Sequence, residues 1–202
     1  MQQQKTMTYQ WLQVLFYIHI LSAALTLLAL VSNVFRLSVG GEWVTWVNRA
    51  VSLGTILCLF MLPGKFLPAA IARVGIMFCN IFPMLLPQLL GMDVYENVLT
   101  VLGVVSPLLT LLAIFMEYNA HGMTVPENAR CWRVLTLVSI GVSLVSIALM
   151  PKLEEAVLKM MQSGNLQGLR IYNCVVYLLT LALDTWYLTL LRKNLQSVEK
   201  EV

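Results

Sequence analysis

Apolar residues in this chain come in long unbroken runs, without the three-to-four-residue recurrence of a soluble amphipathic helix or the alternation of a half-exposed strand. A helix needs roughly 20 apolar residues to cross the hydrocarbon core of a bilayer. Six runs meet or approach that length, at 9–35, 46–62, 68–90, 94–118, 131–150 and 169–191. The pattern predicts an all-α integral membrane bundle of six transmembrane helices forming one domain over residues 1–202. The second run is the shortest and carries Asn48 and Arg49 in its first turn, which makes it the weakest of the six. Turn residues punctuate the gaps: Gly40 and Gly41, Pro63 and Gly64, Gly91, and the stretch 122–126 with its glycine and proline.

Between the fifth and sixth runs lies a different pattern. Over 151–168, Leu153, Val157, Met160 and Met161 share one helical face, opposite Lys152, Glu154, Glu155 and Lys159. This predicts an amphipathic helix lying in the interface plane. The first run is too long for the roughly 7 to 15 residues of a signal-peptide core, so it is expected to remain as a helix of the protein.

Basic residues in short loops set orientation. With both termini in the cytoplasm, Lys5, Lys65, Arg73, Arg130, Arg133, Arg192, Lys193 and Lys200 lie inside, and Arg36, Arg49, Lys152, Lys159 and Arg170 lie outside. The loop between the third and fourth runs has Asp93 and Glu96 and no basic residue, which agrees with an outer position. All five tryptophans, Trp11, Trp43, Trp46, Trp132 and Trp186, sit near run ends, where aromatic belts form. The expected location is the cytoplasmic, or plasma, membrane.

Composition sharpens this picture. The chain is 59% apolar and 11% charged, with a mean hydropathy of +0.79. Charged residues make up about a quarter of an ordinary soluble domain, so the solvent for most of this chain is lipid. A net charge of +3 without any basic run excludes a nucleic-acid footprint. The four cysteines stand apart, with no C-x-x-C pair and no histidine at ligand spacing, and read as small core residues. No G-x-S-x-G, H-E-x-x-H or glycine-rich phosphate loop is present, so neither a metal nor a cofactor is expected.

Candidate chemistry comes from ionisable groups inside the apolar runs, because each is costly in lipid and faces the bundle interior or a water-lined cavity. His19 in the first run and Asp184 in the sixth are expected at matched depth, close enough to pair. Glu117 and His121 are four apart on one helical face, either lining the bundle or, on the plainer reading, forming a solvated face at the interface. Arg73 lies on the same membrane side, and Asn80 seven residues later shares nearly the same face. Pro83, Pro87 and Pro107 interrupt helical hydrogen bonding in the third and fourth runs and can open a pocket between them. Ser139, Gly141, Ser143 and Ser146 read as a small-residue packing face on the fifth.

These residues predict a small membrane protein that binds or transports a small solute or ion through a polar pocket in the cytoplasmic half. Its candidate binding residues are His19, Asn80, Asp184, Arg73, Glu117 and His121. A chain of 202 residues leaves little room for alternating access, so a homodimer or a partner membrane subunit is expected in addition to the bilayer. Two alternatives are an accessory or regulatory subunit of a larger membrane complex, and an intramembrane lipid-modifying enzyme using Glu117 and His121 with a third polar group.

Overall fold

The computed structural model describes residues 2–36, 42–85 and 92–200 and contains six long helices among them. They are α1 (Gln2–Phe35), α2 (Glu42–Met61), α3 (Leu67–Leu85), α4 (Met92–Thr124), α5 (Ala129–Gln162) and α6 (Leu166–Glu199). Each is long and apolar enough to cross a membrane. The segment Trp43–Met61 within α2 has the lowest mean hydropathy of the six, 1.4, as its early Asn48 and Arg49 suggest. Four helices reach 33 or 34 residues, about 50 Å at 1.5 Å per residue. They outrun a hydrocarbon core of about 30 Å.

The helices pack as a closed ring in chain order, each against its sequence neighbours, and α6 returns to pack against α1. Short turns join α2 to α3 and α4 to α5, each with one 3-10 turn, Gly64–Phe66 and Pro126–Asn128. These turns lie at the same end of the ring as both termini. The tight turn from α5 to α6 lies at the other end, where Gly164 takes φ +67, a left-handed conformation that glycine adopts without a Cβ clash.

Packing is dense at the end that bears the termini. Leu12 and Leu15 of α1, Leu59 of α2, Phe66, Trp132 and Leu135 of α5, and Leu191 of α6 are enclosed there in one apolar core. Towards the opposite end the helices bury little. Val101, Val104, Ile171 and Val175 are all more than half exposed, a surface that lipid would solvate. Asn33 is a polar tie at that end, donating from Nδ2 to the Arg170 carbonyl at 2.9 Å and lying 3.2 Å from Cys174 Sγ. Gly75 lets α3 and α4 approach closely, since a Cβ there would fall 2.8 Å from Leu109 Cδ1.

Two differences from the sequence expectations have simple causes. Of the stretch 151–168 expected as a separate interfacial helix, residues 151–162 are the C-terminal part of α5, which passes through Pro151 without ending, and the rest is the turn and the start of α6. Proline removes one backbone hydrogen bond, and the helix-forming residues after it carry the helix to Gln162. Likewise α4 does not stop before Gly122 but continues to Thr124, so the turn falls at Val125 and Pro126. Pro83 and Pro107 also lie inside helices, whereas Pro87 falls outside the described residues.

Candidate functional site

The extra turn of α4 decides where Glu117 and His121 lie. Both are completely buried, which overturns the plainer expectation of a solvated interfacial face. Glu117 Oε2 accepts from Arg73 Nε of α3 at 2.8 Å and lies 2.6 Å from Arg73 Nη2. Its other oxygen, Oε1, accepts from the Tyr187 hydroxyl of α6 at 2.8 Å. The same hydroxyl lies 3.1 Å from His121 Nε2. Arg73, Glu117, Tyr187 and His121 therefore form one continuous polar chain across three helices, in an interior where hydrogen bonds are strong and unmade ones are costly.

Aromatic rings close the surroundings. His121 stacks on Trp132 with centroids 4.7 Å apart and planes 17° from parallel, and the Phe66 ring meets it edge-on at 4.9 Å. His19 of α1 packs its ring 4.4 Å from that of Tyr187. Below this layer Asn194 of α6 ties three elements together. Its Oδ1 accepts from Asn128 Nδ2 at 3.0 Å and from Trp132 Nε1 at 3.3 Å. Its Nδ2 donates to the His121 carbonyl at 3.1 Å. That carbonyl lies in the last turn of α4 and has no partner within the helix, so α6 caps α4 with a side chain.

Among the described residues, the enclosed polar atoms without a hydrogen-bond partner include two imidazole nitrogens of this cluster, His121 Nδ1 and His19 Nε2. Five of the helices thus contribute to one site. The turn before α3 adds Phe66 to it.

Of the six candidate residues, the structure brings Arg73, Glu117, His121 and His19 together and leaves two out. Asp184 is half-buried and stays outside the hydrogen-bonded chain. The expected His19–Asp184 pair does not form: His19 Nε2 is unpartnered, and its ring lies against Tyr187. Three residues along a helix turn a side chain by about 60°, so Asp184 sits at the edge of the buried face that carries Tyr187. Asn80 does not point into the bundle either. It is exposed on α3 and lines a groove between α2 and α3.

That groove encloses about 710 Å³. Thr45, Asn48, Arg49 and Ser52 of α2 line it, facing Arg73 and Asn80 of α3, with an apolar wall that includes Trp46, Ile56, Ile76 and Met77. Arg49 lies over the Trp46 ring, 5.1 Å from its centroid. Arg73 belongs to both environments: its side chain is 28% exposed and lines the groove, while its guanidinium reaches the fully buried Glu117.

Tyr187, Trp132 and Asn194 were not apparent as site residues from sequence. A tyrosine or tryptophan near the end of an apolar run reads as part of an aromatic belt. The signal that could have found them is spacing: Tyr187, Leu190, Leu191, Asn194 and Leu195 form the buried face of α6, with the two polar residues seven apart. The small-residue face of α5 divides. Ser139 is buried, Ser143 and Ser146 line a shallow groove with Pro107 and Thr180, and a Cβ at Gly141 would meet nothing within 4 Å.

Compared with protein-family models, with characterised proteins and with solved structures, the chain matches none.

Proposed function

We propose that this protein is a small multi-pass membrane protein that binds a small organic anion in the groove between α2 and α3 and transports it. The observation that carries this reading is the double position of Arg73, which is paired with a buried carboxylate and also lines an open groove. A guanidinium presents several donors in a fixed fork and recognises carboxylates and similar oxyanions well. Arg49, Asn48 and Asn80 add polar groups, and Trp46, Ile76 and Met77 suit an apolar body. With both termini in the cytoplasm, the Arg73–Glu117 cluster lies in the cytoplasmic half of the plasma membrane. The transporting unit is a homodimer or a complex with a partner subunit.

The test is thermal unfolding of the detergent-purified protein with benzoate or benzenesulfonate, using benzyl alcohol as the neutral control. A ligand that binds only the folded state stabilises it by about 1.4 kcal/mol at ten times its Kd. The two anions raise the melting temperature and the alcohol does not. Arg73→Gln and the groove-wall variant Asn80→Leu lose the rise, whereas Asp184→Asn keeps it. Absence of any anion-dependent rise, or a rise that survives both groove variants, refutes the reading.

The accessory-subunit alternative draws support from the exposed side of Gly141, which leaves part of α5 open to another helix. It is favoured if anions have no effect and Gly141→Leu releases a co-purifying membrane partner. An acid–base lipid enzyme is less well supported, even though Glu117, His121 and Tyr187 converge as that alternative requires. Both carboxylate oxygens of Glu117 are already engaged.

A further inference from the structure

The hydrogen-bond chain fixes where its protons sit. Tyr187 has one hydroxyl hydrogen and donates it to Glu117 Oε1. Its 3.1 Å contact with His121 Nε2 must then run the other way, with the imidazole as donor. A neutral imidazole carries a single N–H, so His121 bears it on Nε2 and Nδ1 is left as a bare lone pair. That nitrogen is enclosed and has no hydrogen-bond partner. A buried basic nitrogen without a donor needs a reason, and the charges around it supply one.

In the structure Arg73 and Glu117 cancel, and the site is neutral when both histidines are neutral. An anion in the groove draws on the Arg73 guanidinium and leaves Glu117 with less compensation. In a low-dielectric interior that imbalance is costly, and one added proton restores it.

We propose that anion binding at Arg73 is coupled to uptake of one proton at His121 Nδ1, so that the protein takes up an organic anion together with a proton. This rests on the anion-binding reading of the groove. In the step, an N–H bond forms between Nδ1 and a proton from bulk water, and the neutral imidazole becomes an imidazolium. Nε2–H continues to donate to Tyr187, whose hydroxyl continues to donate to Glu117, so the new positive charge is relayed towards the carboxylate. The ring lies flat on Trp132 at 4.7 Å, where an aromatic face attracts a cation. The titratable and charged groups acting on His121 are Glu117 on its own helix, His19 on α1, Lys65 in the α2–α3 turn, Arg73 on α3 and the bonded Tyr187 on α6. From α5 it is faced by Trp132, which does not titrate.

The experiment adds benzenesulfonate, which stays ionised throughout, to weakly buffered detergent-purified protein containing a pH indicator. Binding is followed in parallel by calorimetry between pH 5.5 and 8.0. About one proton disappears from solution per anion bound, and over the same range affinity falls tenfold per pH unit as pH rises. His121→Gln binds the anion but takes up no proton and loses the pH slope. Binding with neither proton uptake nor a slope in the wild type overturns the coupling and leaves anion binding intact. Uptake that persists in His121→Gln overturns the assignment to His121. Failure of the wild type to bind at all removes the anion site itself, and the coupling with it. If His121→Gln does not fold, proton uptake and the slope in the wild type still decide the coupling.

Discussion

The two members of the Arg73–Glu117 pair are unequally buried, and this makes their removal unequal. Glu117 is completely enclosed, whereas 28% of the Arg73 side chain is exposed. In Arg73→Gln the carboxylate keeps the Tyr187 hydroxyl as donor but loses its cation. Stranding one member of a buried pair costs about 3–5 kcal/mol. In Glu117→Gln the amide oxygen can still accept from Tyr187, and Arg73 can turn into the groove and be solvated. The loss is then close to that of one charge-assisted hydrogen bond, about 1.5–3 kcal/mol. The double variant Arg73→Gln with Glu117→Gln leaves no charge behind and is more stable than Arg73→Gln alone. Equilibrium unfolding in mixed micelles titrated with SDS measures all four proteins of this cycle. Should Glu117→Gln prove as damaging as Arg73→Gln, or the double variant fall below both, the assigned asymmetry of burial is wrong.

Further outcomes follow from the surrounding contacts. Tyr187→Phe leaves Glu117 Oε1 and the His121 Nε2 donor without their shared partner, and unfolding free energy falls by about 1–3 kcal/mol. Asn194→Leu frees the Trp132 and Asn128 donors and the His121 carbonyl, and destabilises by at least as much, with tryptophan fluorescence reporting the altered Trp132 environment. Gly75→Val drives a branched side chain into Leu109 and costs about 1–3 kcal/mol in the same titration. Gly141→Ala meets no atom and leaves stability equal or raises it by up to about 1 kcal/mol.

The six long apolar helices were legible in the sequence because the bilayer imposes a length and a composition, and both can be counted residue by residue. The Glu117–His121 face followed from a four-residue spacing, and the nearness of Arg73 from the shared depth of two adjacent helices. Rotation of a helix about its own axis is harder to read. Depth alone paired His19 with Asp184, whereas packing turned Tyr187 inward and left the carboxylate at the edge of the buried face. Asn80 shares the groove-facing side of α3 with Arg73, as the seven-residue spacing implied, but that side opens between α2 and α3 and not into the bundle interior. The end of α4 was misread because Gly122 resembles a terminator. In the fold it lies inside the helix against α5, where a Cβ would make ordinary contact with Trp132 and Ala129.

Closure of the ring has a consequence for the order in which the protein is made. Except where α6 meets α1 and α4, every interhelical seam joins neighbours in sequence, so it can form as soon as the second helix of a pair enters the membrane. The seams of α6 with α1 and α4 wait until α6 has been synthesised: the first brings Tyr187 against His19 and Asn33 against Arg170, and the second brings Tyr187 to Glu117 and His121. Until then Glu117 has its arginine but lacks its tyrosine, and His121 has Trp132 but lacks its hydroxyl partner. The nascent protein therefore holds a half-built polar site in the bilayer through five helices, and arrival of the sixth both completes the site and locks the ring.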